Sequence, residues 1–300
     1  MTRLRANCLL LLAGAVWGMG FVAQSTAMDA VGPWTFTAAK FAIAALTLAP
    51  FAIAERRAAA APVPAATRLG FVAVGTLLFL GAITQQIGIV TTTVTNAGFL
   101  TGLYVVLTPI LGLVLLRNRP HWVVWPAALT ALAGIALLGG GSLTALNGGD
   151  LLMIVCALFW ALQIVFVGMY AGPSGRPYTL SFVQFSVTAG LAAIGTLVLE
   201  APTLAALWQV WPEILYGGVL STGLAFTLQI VAQRYTTAAQ AAIFLSSEAL
   251  FAALFGALFL GERIAAIGLV GCALIFAAML AVELVPMRRR WGRQAGAGRA

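Results

Sequence analysis

Two ionisable residues, Lys40 and Glu248, stand inside long apolar stretches of the sequence. Inserting a charged side chain at the centre of a membrane helix costs about 2.5–3.5 kcal/mol, so such residues usually face a bundle interior, where they pair or act. Lys40 could attract a substrate carboxylate, or it could satisfy carbonyl groups in the outer half of its helix. Glu248 could bind a proton or a substrate ammonium group, or it could be a buried structural group hydrogen-bonded to Ser or Thr neighbours.

Aromatic and amide side chains accompany these charges at helical spacing. Trp17, Phe21 and Gln24 share one face of a helix, and Trp160 and Gln163 share a face of another. Such a stripe is often simple packing, but two related tryptophans with nearby amides also suit a midplane cavity for a flat, partly apolar ligand. We therefore predict a substrate cavity lined by Trp17, Phe21, Gln24, Lys40, Phe79, Gln86, Asn96, Phe99, Tyr104, Trp160, Gln163, Gln229, Phe244 and Glu248.

The composition indicates an integral membrane protein. Hydrophobic residues make up 62% of the chain and charged residues 8%, with a mean hydropathy of +1.02. A soluble domain carries roughly 25% charged residues, so this chain could not cover a water-facing surface. The net charge of +8 comes from bases at the ends of apolar segments. That placement indicates membrane topology and argues against a nucleic-acid partner.

The sequence lacks the signatures of a metal site or a nucleotide-driven pump. The three cysteines, Cys8, Cys156 and Cys272, do not have metal-ligand spacing. No Gly-x-x-x-x-Gly-Lys run is present, so nucleotide hydrolysis is disfavoured. We expect neither a metal nor a cofactor.

One unit occurs twice in the chain. Trp17 and Trp160 are 143 residues apart, about half of the 300-residue length, and the pairs 40–41 and 184–185 recur at nearly the same spacing. Apolar runs of about 20 residues predict membrane helices; there are ten, over 5–24, 33–54, 69–90, 94–116, 122–140, 149–170, 178–199, 212–233, 238–260 and 264–285. Since five is odd, the second five-helix unit must enter from the opposite face. This predicts an all-α membrane fold with two inverted-topology repeats.

The predicted organisation has three parts: a first repeat over 1–145, a second over 146–286 and a basic tail over 287–300. Alternate connections hold nearly all the arginines, which places both termini in the cytoplasm. Because the chain supplies its own symmetry partner, a monomer is sufficient. Pro109 is a candidate hinge. Very short turns at 91–95 and 236–237 suggest two helical hairpins that rock alternately.

The chain resembles the ten-helix EamA branch of the drug/metabolite transporter superfamily over nearly its whole length. The features that match are Trp17-Gly18, Phe21, Pro33, Phe36, Lys40-Phe41, Pro109, Trp160 and Gly261-Glu262. The sequence departs from the family pattern at Arg117, where an acidic residue is frequent, and at Lys40, where arginine is commoner.

The resemblance implies a non-enzymatic secondary transporter in the bacterial inner membrane that exports small amphipathic metabolites. Similarity to the aromatic amino acid exporters makes aromatic and other neutral amino acids the leading substrates, moved by alternating access between the two repeats. A carrier of the same fold for drugs, nucleotide sugars or lipid precursors is the alternative. Outside transport, a membrane-embedded enzyme or a scaffold remains, although an enzyme would need clustered polar catalysts, and Glu248 and His121 are isolated.

Overall fold

The computed structural model describes residues 1–117, 119–138, 147–263 and 265–297, and it describes side chains as far as residue 285, except that of Thr95. Within these ranges the secondary structure is entirely helical. The glycine-rich connection between the predicted repeats, over 139–146, and the end of the basic tail lie outside the described residues.

The described residues form fourteen α-helical segments and one π-helix. In chain order they are α1 (Arg3–Ala27), α2 (Pro33–Arg57), α3 (Ala65–Gly88), α4 (Val94–Thr101), α5 (Tyr104–Leu116), α6 (Val124–Leu138), α7 (Gly148–Ser174), α8 (Pro177–Leu199), α9 (Leu204–Gln209), α10 (Trp211–Leu215), the π-helix (Tyr216–Leu224), α11 (Ala225–Gln233), α12 (Ala238–Leu245), α13 (Glu248–Leu260) and α14 (Ala266–Ala297).

These segments confirm the predicted fold class. Nine spans among the described residues are long and apolar enough to cross a membrane, and α6 provides a shorter apolar helix. Large apolar side chains face outward on many of them; Leu197 and Val198, for example, are 84% and 75% exposed. Such a surface fits a hydrocarbon environment, where all backbone groups must be paired within helices. The protein is a multi-pass membrane protein.

Two predicted spans are interrupted. The fourth breaks at Gly102 and Leu103, between α4 and α5, and the ninth breaks at Ser246 and Ser247, between α12 and α13. The Ser246 hydroxyl donates to the carbonyl of Ile243 at 2.7 Å, which is the local competition with the backbone that weakens a helix. The first break precedes Pro109, and α5 continues through that proline.

Equivalent residues begin and end these broken helices in both halves. The hydroxyls of Thr93 and Thr237 accept the backbone N–H groups of Asn96 and Gln240, in the first turns of α4 and α12, as helix N-caps do. Arg117 and Gly261 follow α5 and α13 in the left-handed conformation, with φ of 51° and 68°. Both pairs are 144 residues apart, so the two halves share their local structure as well as their order of helices.

The eighth predicted span contains the π-helix instead of being α-helical throughout. Its Gly217 and Gly218 allow close packing on α2, since a Cβ at Gly218 would lie 2.7 Å from Ile43. A π-helical turn shifts the backbone hydrogen bonds by one residue and is frequent at functional sites. Here the carbonyl of Ser221 accepts a hydrogen bond from Trp17 Nε1 at 2.8 Å.

Helices α2 and α8 cap each other reciprocally. The Glu55 carboxylate, in the last turn of α2, accepts the backbone N–H and the hydroxyl of Thr179 at 2.7 and 2.6 Å, in the first turn of α8. The Glu200 carboxylate, directly after α8, accepts the N–H and hydroxyl of Thr35 at 2.8 and 2.6 Å, in the first turn of α2. The two helices are therefore antiparallel equivalents, as inverted repeats require.

We call the end of the bundle at which α1, α3 and α8 begin the basic end, because Arg3, Arg68 and Arg176 lie there with Arg56 of α2. The other end is called the acidic end, where Asp150 and Glu200 lie.

Candidate functional site

A cavity of about 50 Å³ lies between the two halves of the bundle. Its walls come from α1, α2, α3, the broken helices, α7, the π-helix and α11. The lining residues are Trp17, Phe21, Gln24, Lys40, Phe41, Ala82, Gln85, Thr101, Tyr104, Trp160, Gln163, Ile164, Ser221, Thr222, Phe226, Gln229 and Glu248. One lysine and one glutamate are the only full charges among them.

Lys40 belongs to a buried polar cluster of the first repeat. Its ammonium donates to the side-chain oxygens of Gln24 and Gln86, each at 3.1 Å, and lies 5.0 Å from the centre of the Phe36 ring. The residue is 6% exposed, and among the described residues no carboxylate lies within ion-pair distance. The cation therefore faces the cavity held by neutral oxygens and an aromatic ring.

An amide cluster occupies the related place in the second repeat. Gln229 donates to Gln163 at 3.1 Å and to Gln233 at 3.0 Å, and Gln163 donates to Gln184 at 3.3 Å. Gln184 is 144 residues after Lys40, so an amide stands where the first repeat has its cation. The cavity thus has a charged polar wall and a neutral one.

Glu248 and Tyr104 meet where the two broken helices restart. Each is the first residue of the second part of its helix, α13 or α5, and the Tyr104 hydroxyl lies close enough to interact with the carboxyl group of Glu248. Within the described chain, Tyr104 Oη and Glu248 Oε1 are buried without a hydrogen bond of normal geometry. The N-terminus of α13 favours a negative charge at this position. Neither group has a partner of opposite charge among the described residues, so a cationic group of a ligand in the cavity could bind here.

Three aromatic rings in contact form the apolar wall, one pair stacked and the other tilted. The centre of the Phe226 ring lies 4.6 Å from that of Trp17 and 5.6 Å from that of Trp160. Phe41 and Phe185 extend this group on the α2 and α8 side. Trp160 Nε1 is buried and has no acceptor of normal geometry in the described part of the chain. The wall can pack a planar apolar group and offers it one donor.

The structure brings together nine of the fourteen predicted cavity residues, namely Trp17, Phe21, Gln24, Lys40, Tyr104, Trp160, Gln163, Gln229 and Glu248. The other five do not line the cavity. Gln86 lies behind Lys40 and binds it, and Phe79 packs on Trp34 with ring centres 6.0 Å apart. Asn96 is in the first turn of α4, whereas Phe99 and Phe244 pack in apolar clusters. Pro109 borders a different crevice, at the basic end.

Sequence reasoning missed Phe226 and the π-helical residues Ser221 and Thr222. Phe226 is a single aromatic residue in an apolar helix, and its equivalent 143 residues earlier is Ile83. Comparison of the two repeats therefore did not indicate that Phe226 lines a cavity. Thr222 and Ser221 read as ordinary small residues of a membrane helix. The glycines at 217 and 218 were the available indication of close packing.

Polar contacts join neighbouring helices at both ends of the bundle, outside the lining of the cavity. At the basic end, Glu283 accepts from Asn7 at 2.7 Å and from Gln240 at 3.0 Å and pairs with Arg3 at 3.4 Å. At the acidic end, the Thr92 hydroxyl donates to the Asp150 carboxylate at 2.6 Å. Within the described residues no group of three or more His, Cys, Asp or Glu side chains could hold a metal ion.

The sequence matches the EamA-like transporter family twice, over residues 4–140 and over residues 147–284. The chain belongs to this family. This EamA-like protein is 32% identical over 285 residues to an uncharacterized transporter of Archaeoglobus fulgidus, with 94% of this chain and 87% of the relative covered. A crystal structure of another protein superposes with a TM-score of 0.77 at 18% identity, covering 95% of this chain and 99% of that one, which shows a shared fold.

Membership in the EamA-like family makes the protein a membrane transporter. The family and its relative point to a carrier without enzymatic activity. Transporters built from inverted repeats generally bind their substrates near the middle of the membrane, at the interface between the repeats.

Proposed function

We propose that the protein is a secondary transporter that exports small zwitterionic metabolites, with aromatic and other neutral amino acids as its substrates. The observation that carries the proposal is that the cavity lining holds one cation and one carboxylate, both unpaired in the described structure. Lys40 and Glu248 are the cation and the carboxylate of its lining, and each is without an opposite charge within ion-pair distance in the described structure. A substrate with both a carboxylate and an ammonium group would supply the two missing partners.

The aromatic wall supports the side-chain preference. Trp17, Phe226 and Trp160 present a continuous ring surface beside the two charges. Aromatic pairs contribute about 0.5–1.5 kcal/mol beyond their buried area, so a substrate ring stacked here gains affinity over an aliphatic side chain.

The small size of the cavity supports alternating access. A volume of about 50 Å³ leaves no room for an aromatic amino acid, so the lining helices must move apart for it to enter. The Arg3–Glu283 pair at the basic end and the Thr92–Asp150 bond at the acidic end would open in turn. Rocking of the two broken-helix hairpins, with Pro109 as a hinge, remains our mechanism for that motion.

The positive-inside rule supports a cytoplasmic location for the basic end, which in a bacterium is the cytoplasmic face of the inner membrane. Both termini then lie inside. The charges of the cavity also weigh against nucleotide sugars, because two phosphate groups would meet a single lysine and a glutamate. Each repeat supplies one of the two charges, so a monomer forms a complete site.

Counterflow into proteoliposomes tests the proposal. Vesicles preloaded with unlabelled solute would take up labelled tryptophan, phenylalanine, alanine, glutamate or a sugar nucleotide, with and without a pH gradient. Saturable exchange of the aromatic amino acids, strongest for tryptophan and phenylalanine, is expected. Exchange of the sugar nucleotide alone would refute the substrate class, and absence of flux for any solute would favour a scaffold.

A further inference from the structure

A larger space, which shares no lining residue with the central cavity, lies at the basic end of the bundle. It is a crevice of about 510 Å³ between the end of α2, the start of α3 and the start of α8. The α2–α3 connection, over 58–64, forms its rim. Neither the central cavity nor the contacts that we propose to close it involve any of the crevice residues.

Three arginines, Arg56, Arg68 and Arg176, line the crevice. Arg176 uses part of its guanidinium to hold the rim, donating to the carbonyls of Glu55 and Ala61 at 3.0 and 2.9 Å. The side chains of Arg56 and Arg68 make no hydrogen bond or ion pair with the described residues, and both are exposed.

The nearest carboxylate does not neutralise this charge. The carboxylate of Glu55 caps the start of α8, where it accepts hydrogen bonds from the backbone N–H and the hydroxyl of Thr179 at 2.7 and 2.6 Å. A guanidinium has five N–H donors, and the side chain of Arg176 makes two hydrogen bonds to the rim. The other N–H groups of Arg176 remain available to a ligand. The crevice therefore concentrates positive charge and unused donors that match the oxygens of a phosphate group.

The remaining wall of the crevice is apolar and continuous with the lipid-facing surface. Phe71, Phe182 and Val183 form its floor together with small residues of α2. Ile53 lines the same space and is 51% exposed on the outer surface of the bundle. A molecule seated here would place an anionic group among the arginines and a hydrocarbon chain along the wall.

We propose that this crevice is a binding site for an anionic phospholipid of the surrounding bilayer. The phosphate of its headgroup contacts Arg56, Arg68 and Arg176, and an acyl chain packs along Ile53 and Phe182. Basic pockets between membrane helices select anionic headgroups in this way. The site is independent of the transported substrate.

Native mass spectrometry of the full chain, purified in mild detergent and given equal amounts of phosphatidylglycerol and phosphatidylcholine, tests the proposal. A basic residue near an anionic lipid contributes about 5-fold in affinity, so Arg56→Gln with Arg68→Gln should lower phosphatidylglycerol retention by about 30-fold. The matched control is Arg5→Gln with Arg57→Gln, which removes the same charge from exposed arginines outside the crevice. This control should retain the lipid.

A second variant tests the position without changing charge. Ala49→Trp fills the crevice from α2 and should displace the lipid, while the protein keeps its elution volume and its thermal stability. Equal loss of lipid in the arginine control, or full retention in both crevice variants, would overturn the proposal. Binding of two water-soluble anions, glycerophosphate and inorganic phosphate, is measured in the same way. If either binds as tightly as phosphatidylglycerol, the crevice is a site for soluble anions and the lipid assignment is wrong.

Discussion

Tyr104 and Glu248 occupy equivalent positions in the two repeats, 144 residues apart, and their side chains meet in the central cavity. Each begins the second part of a broken helix. The local pseudo-symmetry axis therefore passes between a phenol and a carboxyl group. Lys40 and Gln184 show the same substitution of a neutral group for a charge. The repeats share their architecture and differ at the residues that give the cavity its charge.

Lys40→Gln gives the first repeat the amide that the second has at this place. If Lys40 binds the substrate carboxylate, exchange of a neutral amino acid should fall by about 10- to 100-fold, as expected for a hydrogen bond between charged groups worth about 1.5–3 kcal/mol. Counterflow in proteoliposomes with equal protein content measures this. Arg57→Gln, at an exposed site, is the control and should have no effect. Unchanged exchange in Lys40→Gln would remove this residue from the site.

Glu248→Gln separates a ligand-binding role from a structural one. Glu248 Oε1 is buried without a hydrogen bond of normal geometry in the described structure, so losing the charge should not lower thermal stability. Amino acid exchange should still fall by about 10-fold or more, because the substrate ammonium loses its partner. Melting in detergent and counterflow are measured on the same preparation, with exposed Asp29→Asn as control. A large loss of stability would show that the carboxylate is structural.

Phe226→Ile tests the aromatic wall, since isoleucine is the residue that the first repeat has at this position. The change removes a ring that contacts both Trp17 and Trp160 while keeping an apolar side chain. The apparent affinity for phenylalanine should fall by about 2- to 13-fold relative to that for alanine, given about 0.5–1.5 kcal/mol for the lost ring contact. The ratio of the two half-saturation constants is the readout. An equal change for both amino acids would contradict a stacking role.

Glu55→Ala and Glu200→Ala test the reciprocal caps of α2 and α8. Each removes a carboxylate that accepts a backbone N–H and a threonine hydroxyl, so each should destabilise the fold by about 1–2 kcal/mol. The two sites lie at opposite ends of α2, roughly 30 Å apart, because Thr35 and Glu55 are 20 residues from each other along the helix. Their effects on unfolding in mild denaturant should therefore add in the double variant. Strong non-additivity would argue against two independent caps.

The number of spans and their repeated order could be predicted because both depend on hydropathy and charge summed over about 20 residues. The helix breaks could not. Gly14 and Gly18 lie within an uninterrupted helix, whereas α4 ends at Gly102. Whether a helix continues through a glycine depends on how the neighbouring helices pack against it, which the sequence pattern does not contain.

The cavity was predictable where a polar or charged side chain stood in an apolar run, as with Lys40, Gln163 and Glu248. Burial is costly for such groups, so they must face inward. Aromatic residues carried no such constraint. Phe79 and Phe244 pack elsewhere, and Phe226, which the sequence analysis did not select, forms the centre of the aromatic wall.

The most direct test of the central claim is counterflow of phenylalanine against its two truncated analogues. Phenylethylamine lacks the carboxylate that Lys40 would bind, and 3-phenylpropionate lacks the ammonium group that Glu248 would bind. The account predicts that unlabelled phenylalanine competes with labelled phenylalanine, whereas each analogue competes at least about 10-fold more weakly, in keeping with one lost charged hydrogen bond. Competition by either analogue as strong as that by phenylalanine would contradict recognition of a zwitterion between the two repeats. So would the absence of phenylalanine exchange in vesicles that exchange another solute.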